Sequence, residues 1–292
     1  MVAASSSIAI GIALAVQVLP HPVGPRVDVV IDAKPFTSYL YLTAMARPAL
    51  VSLRAADGTP VTREDDGAED DRPTGFWFAH GNVNGVDFTG ADKRGDGAAR
   101  QARSALATRI VHRRVVEAVS SDIAGRLVVQ TAWTASDGAV LLLDDTSFTF
   151  TGTDRERSVD RVTRLAAVNG PVRLGATTRP QLGIELADGF REREMQSGAD
   201  RDQTSEHGVR GRWIALPGQR DGRQVTVALF EHPANAGYPN LLRYRGGALE
   251  LAPTDDTRIE AGAALTLRYR LVIVAGRVEP AWVEEHYRDF IR

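Results

Sequence analysis

Two short stretches concentrate the residue types that chemistry uses. The first is Gly75–Phe88, which reads Gly-Phe-Trp-Phe-Ala-His-Gly-Asn-Val-Asn-Gly-Val-Asp-Phe. Strand alternation puts Phe76, Phe78 and His80 on one face and Trp77 and Ala79 on the other. The loop that follows sets the amides of Asn82 and Asn84 and the carboxylate of Asp87 beside an imidazole and an indole. A flat apolar ring with a few placed polar groups is what a sugar site needs. The second stretch, Phe230–Asn235, repeats the arrangement: a strand ends in Phe-x-His, Pro233 stops the ladder, and Asn235 sits in the next loop. Two strand ends thus deliver His80 and His232. If the ends are neighbours, the two imidazoles with Glu231 form an acid/base pair or part of a metal shell. If they are not, both histidines are satisfied scaffold residues on tight turns.

Two further candidates are weaker. His112, in Ile110–Arg114, is a third imidazole or a cross-strand partner. Arg210, in Arg210–Trp213, offers a guanidinium to a substrate hydroxyl or carboxylate, or is a surface residue. The acidic run Glu64–Asp71 lacks the fixed spacing of a calcium loop and reads as a solvated loop. The segment Glu64–Gly75 is expected to be exposed and acidic rather than a catalytic wall. The chain has no Gly-rich phosphate loop, no G-x-S-x-G and no H-E-x-x-H. No metal site and no cofactor is expected.

The elements that must position these residues read mostly as strands. Apolar residues alternate over Val27–Ile31, and Phe36–Tyr41 is extended and aromatic. Further strands are expected at Ala49–Arg54, Gly75–His80, Thr108–Val119, Arg126–Trp133, Val140–Thr151, Arg157–Ala167, Val172–Gly175, Gly183–Leu186, Gly211–Ala215, Val225–His232, Ala248–Leu251 and Leu265–Ala275. Turn chemistry breaks them at Asn84-Gly85, Asp137-Gly138, Asn169-Gly170 and Asp221-Gly222. Residues 57–74, 89–107 and 188–208 read as loops. Pro280 opens a terminal helix in which Trp282, Val283, His286, Tyr287, Phe290 and Ile291 share a face. This predicts an all-β fold, two large packed antiparallel sheets in a β-sandwich, with a C-terminal helix.

Composition sets outer limits. In 292 residues, 35 Lys plus Arg face 37 Asp plus Glu, for a net charge of -2. That balance argues against a nucleic-acid partner or a polybasic membrane anchor. There is no cysteine, so disulfides, thiolate metal sites and Cys nucleophiles are excluded. Ile8–Val18 is apolar but too short for a membrane span. Residues 1–15 read as a signal peptide ending in Ala13-Leu14-Ala15, which implies a periplasmic or secreted protein. A first strand in a cytoplasmic protein is the alternative. Residues 16–292 then form one domain.

Several of these blocks together resemble the PmoA-like family, often labelled "methane oxygenase PmoA". They are Val27–Tyr39, Arg47–Arg54, Thr59–Arg63, Gly75–Phe88, Ile110–Arg114, Arg210–Trp213, Phe230–Asn235 and the helix Pro280–Phe290. The resemblance implies a galactose-mutarotase-like supersandwich and a companion of carbohydrate catabolism. It implies no reaction, and without membrane spans the oxygenase label reads as a misnomer. This chain departs from the family pattern where Asp71–Gly75 replaces a His-rich motif, around Thr178–Pro180, at Leu242-Arg243, and at Glu231, which stands for an Asp. The expectation is a carbohydrate-related protein, either sugar-binding or a degenerate enzyme. Trp77, His80, Asn82, Asn84, Asp87, His112, Arg210, His232 and Asn235 are its candidate pocket residues. The alternative is an epimerase- or lyase-like enzyme in which His80 and His232, with Glu231, act as general acid and base.

Overall fold

The computed structural model describes residues 15–63, 75–90, 108–199, 204–205 and 208–292. The readings made for residues 1–14 and 64–74 lie outside them. Two large sheets carry the chain. The ten-stranded sheet runs β1 (Val16–Pro20), β2 (Arg26–Ile31), β3 (Lys34–Leu40), β4 (Ala49–Val51), β5 (Phe76–Phe78), β11 (Leu182–Glu185), β18 (Ala248–Ala252), β17 (Leu241–Arg245), β14 (Gly208–Arg210) and β13 (Thr204–Ser205). The eight-stranded sheet runs β12 (Gln196–Ser197), β15 (Trp213–Arg220), β16 (Arg223–Glu231), β20 (Ala264–Ala275), β9 (Glu156–Ala167), β8 (Val140–Gly152), β7 (Gly125–Thr134) and β6 (Arg109–Val119). A small pair, β10 (Val172–Leu174) with β19 (Thr257–Ile259), stands apart. Every ladder among the described strands of the two large sheets is antiparallel. This is the expected antiparallel β-sandwich.

Alternation builds the core. Along β8, Leu142, Phe148 and Phe150 point inward and are buried, as are Val159 and Leu165 on β9. Rings join the sheets across the interface. Phe150 meets Phe36 of β3 edge-on at 6.3 Å and stacks with Phe148 at 6.1 Å, while Phe78 lies 6.0 Å from Trp133 and 6.2 Å from Tyr269. Helix α1 (Pro280–Phe290) covers the outer face of the other sheet, burying Val283 and Tyr287 against Trp213, Phe230, Val272 and Val274. It matches the expected helix. No described helix is long and apolar enough to cross a membrane.

Strand direction decides where functional groups collect. β5, β14, β16 and β18 end at one end of the sandwich, and the antiparallel β11 and β17 start there. Residues 79–90, 176–181, 211–212, 232–240 and 253–256 therefore share that end. If the inter-sheet rings carry the packing, Phe150→Ala lowers stability by about 3–5 kcal/mol in urea denaturation. A loss below about 1 kcal/mol contradicts it.

Candidate functional site

The loop after β5 is fixed by its own side chains. Val83 and Val86 bridge around Asn84-Gly85, whose φ angles of 51° and 86° make the two-residue turn expected of this pair. Asn82 accepts the Gly85 N–H at 3.0 Å, and Asn84 accepts the Arg173 N–H at 2.8 Å. Both asparagines thus spend hydrogen-bonding capacity on the scaffold. Asp87 accepts the backbone and hydroxyl donors of Thr89, each at 2.7 Å. Its other oxygen pairs with Arg179 Nε at 3.0 Å, and this pair is partly exposed.

His80 lies behind that loop, 1% exposed. Its Nδ1 accepts the Asn82 N–H at 3.0 Å, which assigns the ring proton to Nε2. Burial pulls its pKa down to about 4, against the opposing pull of Asp87. His232 repeats the device: its Nδ1 accepts the Ala234 N–H at 3.1 Å. Burial, with Arg268 adding to it, lowers its pKa as well. No hydrogen bond, ion pair or ring contact joins the two histidines. His232 packs edge-on against Phe290 at 5.4 Å.

Glu231 and Asn235 brace the second loop. Asn235 exchanges hydrogen bonds with the backbone of Arg268. Glu231 is 0% exposed and accepts the Asn240 N–H at 2.9 Å and the Asn240 side-chain amide at 2.5 Å. Burial raises its pKa to about 7, the Asn240 and Asn235 hydrogen bonds opposing.

His112 belongs to a third group, between the sheets. Its Nδ1 lies 3.2 Å from the Tyr39 hydroxyl, and its ring lies tilted against Tyr41 at 3.9 Å. Burial lowers it to about 4. Behind Tyr39, Arg161 and Asp144 face each other at 3.9 Å, with Thr146 and Thr163 hydrogen-bonded to them. Burial pushes Asp144 up and Arg161 down, each resisted by the other's charge. The Thr131 hydroxyl adjoins Asp144 without closing a hydrogen bond. The cavity they line has a volume of about 20 Å³, room for one water and not for a sugar.

Trp77 and Arg210 lie on the outer face of the ten-stranded sheet. Register aligns Ala49, Trp77, Gly183, Glu250 and Arg243 in one row across five strands. Arg210 is on the same face one strand further, its guanidinium donating to the Thr254 hydroxyl. The Trp77 ring lies over Gly183, where a Cβ would come within 2.7 Å of it. Arg47 covers the ring at 4.0 Å. Arg243 binds Glu250 at 2.8 Å and the Thr178 carbonyl at 2.8 Å. Sequence reasoning missed Arg47, Arg179, Arg243 and Glu250. For the last two the signal was charge at positions alternating with the apolar Leu242, Leu249 and Leu251; Arg47, on a loop, gave none. Among the described residues, no cluster of three His, Asp or Glu side chains could hold a metal.

The Glu231 carboxyl makes stability depend on pH. Its folded pKa of about 7 exceeds the ordinary 4.5, so folding takes up a proton between those values. The contribution is full below about pH 4.5 and is lost as pH rises to about 7, a span of roughly 3 kcal/mol. Glu231→Gln should remove this slope from urea midpoints measured across pH 4–8. An unchanged slope assigns the titration elsewhere.

Comparison with known proteins adds family and likeness. No curated protein matches the chain in sequence. Among solved structures, the Slr1438 protein from Synechocystis sp. PCC 6803 is similar, with a TM-score of 0.41 and 11% identity over 93% of this chain and 100% of that one. A galactose mutarotase-like protein from Lactobacillus casei ATCC 334 gives 0.37 and 11% over 88% and 99%. A galactose mutarotase related enzyme from Lactobacillus acidophilus gives 0.37 and 7% over 91% and 98%. Likeness at this level says nothing of ligand or activity. The expected PmoA-like relationship is corrected: neither these structures nor the matching family model carries a methane oxygenase description. Blocks such as Val27–Tyr39 and Phe76–Phe78 are strands and turns whose residue types packing dictates, so they discriminate poorly between sandwiches. A model for a family of unknown function, DUF6807, matches residues 26–288, and the chain belongs to that family.

Proposed function

We propose that the protein binds a carbohydrate on the outer face of the ten-stranded sheet, at the end where β5, β14 and β18 finish. The observation that carries this reading is the row from Trp77 through Gly183 to Glu250 and Arg243, which sets an indole and an ion pair on one face. The partly exposed Asp87–Arg179 pair lies at the end of the same strands. Paired guanidinium and carboxylate groups suit sugar hydroxyls, which donate and accept at once.

Binding fits the imidazoles better than proton transfer does. A general acid or base works best with a pKa near the working pH and within reach of the substrate. His80 is buried and held far below neutral, with Nδ1 already occupied. Its role in this reading is to hold the Gly81–Asp87 loop in shape.

Isothermal titration of the full chain with common mono- and disaccharides tests the reading. At least one sugar should bind, and Arg179→Ala and Glu250→Gln should each weaken it by about fivefold or more, a typical loss for one charged hydrogen bond. The absence of any binding at millimolar sugar, or binding indifferent to both substitutions, contradicts it.

A further inference from the structure

Of the strands that end the two large sheets, β6 is the longest. It closes the eight-stranded sheet with 11 residues and pairs on one side with β7. On its other side only the two ends are held. The Ile110 N–H donates to the Ala46 carbonyl, and Ser121, just past the strand, bridges to Val16. Between them, from Val111 to Val119, this edge meets no other strand among the described residues. An edge of that length is a template for pairing with another chain.

The side chains along it are apolar where solvent would favour polar ones. Val111, Val116 and Val119 are 42%, 51% and 46% exposed, and Ile123 in the turn after them is 84% exposed. Scattered apolar residues are ordinary on a surface, but these gather on one strand and its turn. Two bulges shape the same edge. The register with β7 skips Arg113 and Val116, so the inward positions are His112, Val115 and Ala118, three residues apart. His112 turns its ring to Tyr39 and Tyr41, and Val115 and Ala118 pack on the core. Arg113 and Arg114 lie outward between the first two, and Val116 and Glu117 between the last two. Bulges and charges usually blunt an edge, because a strand of regular period two does not match them. A second β6 matches them.

We propose that β6 pairs antiparallel with β6 of a second copy of this chain, about a twofold axis at Val115, so that one sheet runs through a homodimer. In an antiparallel pair, opposed residues share a face. With the axis at Val115, inward His112 opposes inward Ala118 of the second copy, and Val115 opposes its own equivalent. The outward residues then coincide too: Arg113 opposes Glu117, Arg114 opposes Val116, and Val111 opposes Val119. Each contact occurs twice, as twofold symmetry requires. Glu117 can serve Arg113, since its partner in its own chain, Arg126, is 3.7 Å away and the two are 38% and 53% exposed. Moving the axis one residue, to Arg114 or Val116, sets inward Val115 against outward Arg113 or Glu117. The bulges therefore fix the register.

The test is the mass of the full chain in solution, by light scattering or sedimentation from about 1 to 100 µM, together with charge reversals. The chain should be a dimer. Arg113→Glu and Glu117→Arg each set like charges opposite one another in two places, and each should weaken the dimer by about tenfold or more. An equimolar mixture of the two variants makes both contacts complementary again and should regain the dimer, which a local defect in either variant would not allow. If a reversal fails to fold, Val119→Lys, at an exposed position, should weaken the dimer similarly. A monomer at the highest concentration overturns the proposal. So does a monomer whose β6 amides resist hydrogen exchange along the whole edge, since another segment of the chain would then cover it. A dimer indifferent to all three substitutions, or single variants that stay monomeric when mixed, overturns it as well, because the contact would then lie elsewhere.

Discussion

The candidate face depends on a constraint that burial imposes on three consecutive aromatic residues. A strand with one side in a sandwich core must send every second residue to the other side. In Phe76–Trp77–Phe78 all three residues are large and apolar, so one aromatic ring had to leave the core. Phe76 and Phe78 went inward, opposite Ile184 and Leu182, and Phe78 reached Trp133 and Tyr269 across the sheets. Trp77 went outward, opposite Ala49 and Gly183. An exposed indole there would waste its apolar area, and the chain covers it with Arg47 from the loop before β4. Gly183, with no side chain of its own, leaves the ring room to lie flat.

The electrostatics of the two β5 faces differ in kind. Inside, Arg161 and Asp144 compensate each other in a hydrogen-bonded knot, the arrangement that makes a buried charge tolerable. Outside, the guanidinium of Arg47 is buried without that compensation. His80 and His112 contribute no charge near neutrality, being held at about 4 by burial. Chemistry on this face therefore falls to arginines and carboxylates, which favours recognition of a polar ligand over shuttling of protons.

Much of this fold was legible in the sequence because half-buried antiparallel strands announce themselves by period two. β6 to β9, β16 and β20 were read to within two residues, and the terminal helix by its apolar face. The short strands β12, β13, β14, β17 and β19 were missed, being polar or too brief for alternation to register. The site was less legible. Asn84-Gly85 was readable as a turn because only a few residue types accept its backbone angles. Arg161 and Asp144 had a readable signal, polar residues at positions in step with buried Val159, Leu165, Leu142 and Phe148. Arg47 had none, since a loop residue has no period and its burial follows from Trp77, which lies 30 positions away in the sequence. The echo of Phe78-x-His80 in Phe230-x-His232 was legible, and each imidazole does accept the amide two residues on. What the echo could not reveal is that each ring serves its own loop.

The most direct test of the central claim, that the outer face around Trp77 is where the ligand binds, is the indole region of a ¹⁵N–¹H spectrum during saccharide titration. The four tryptophans give four side-chain signals. Trp77, whose N–H has no acceptor among the described residues, should shift progressively and saturate. Trp133 and Trp213, already bonded to Asp144 and Glu284, should hold still. A saturating titration that moves Trp213 or Trp282 and leaves Trp77 in place would put the ligand on the other side of the molecule and contradict the account.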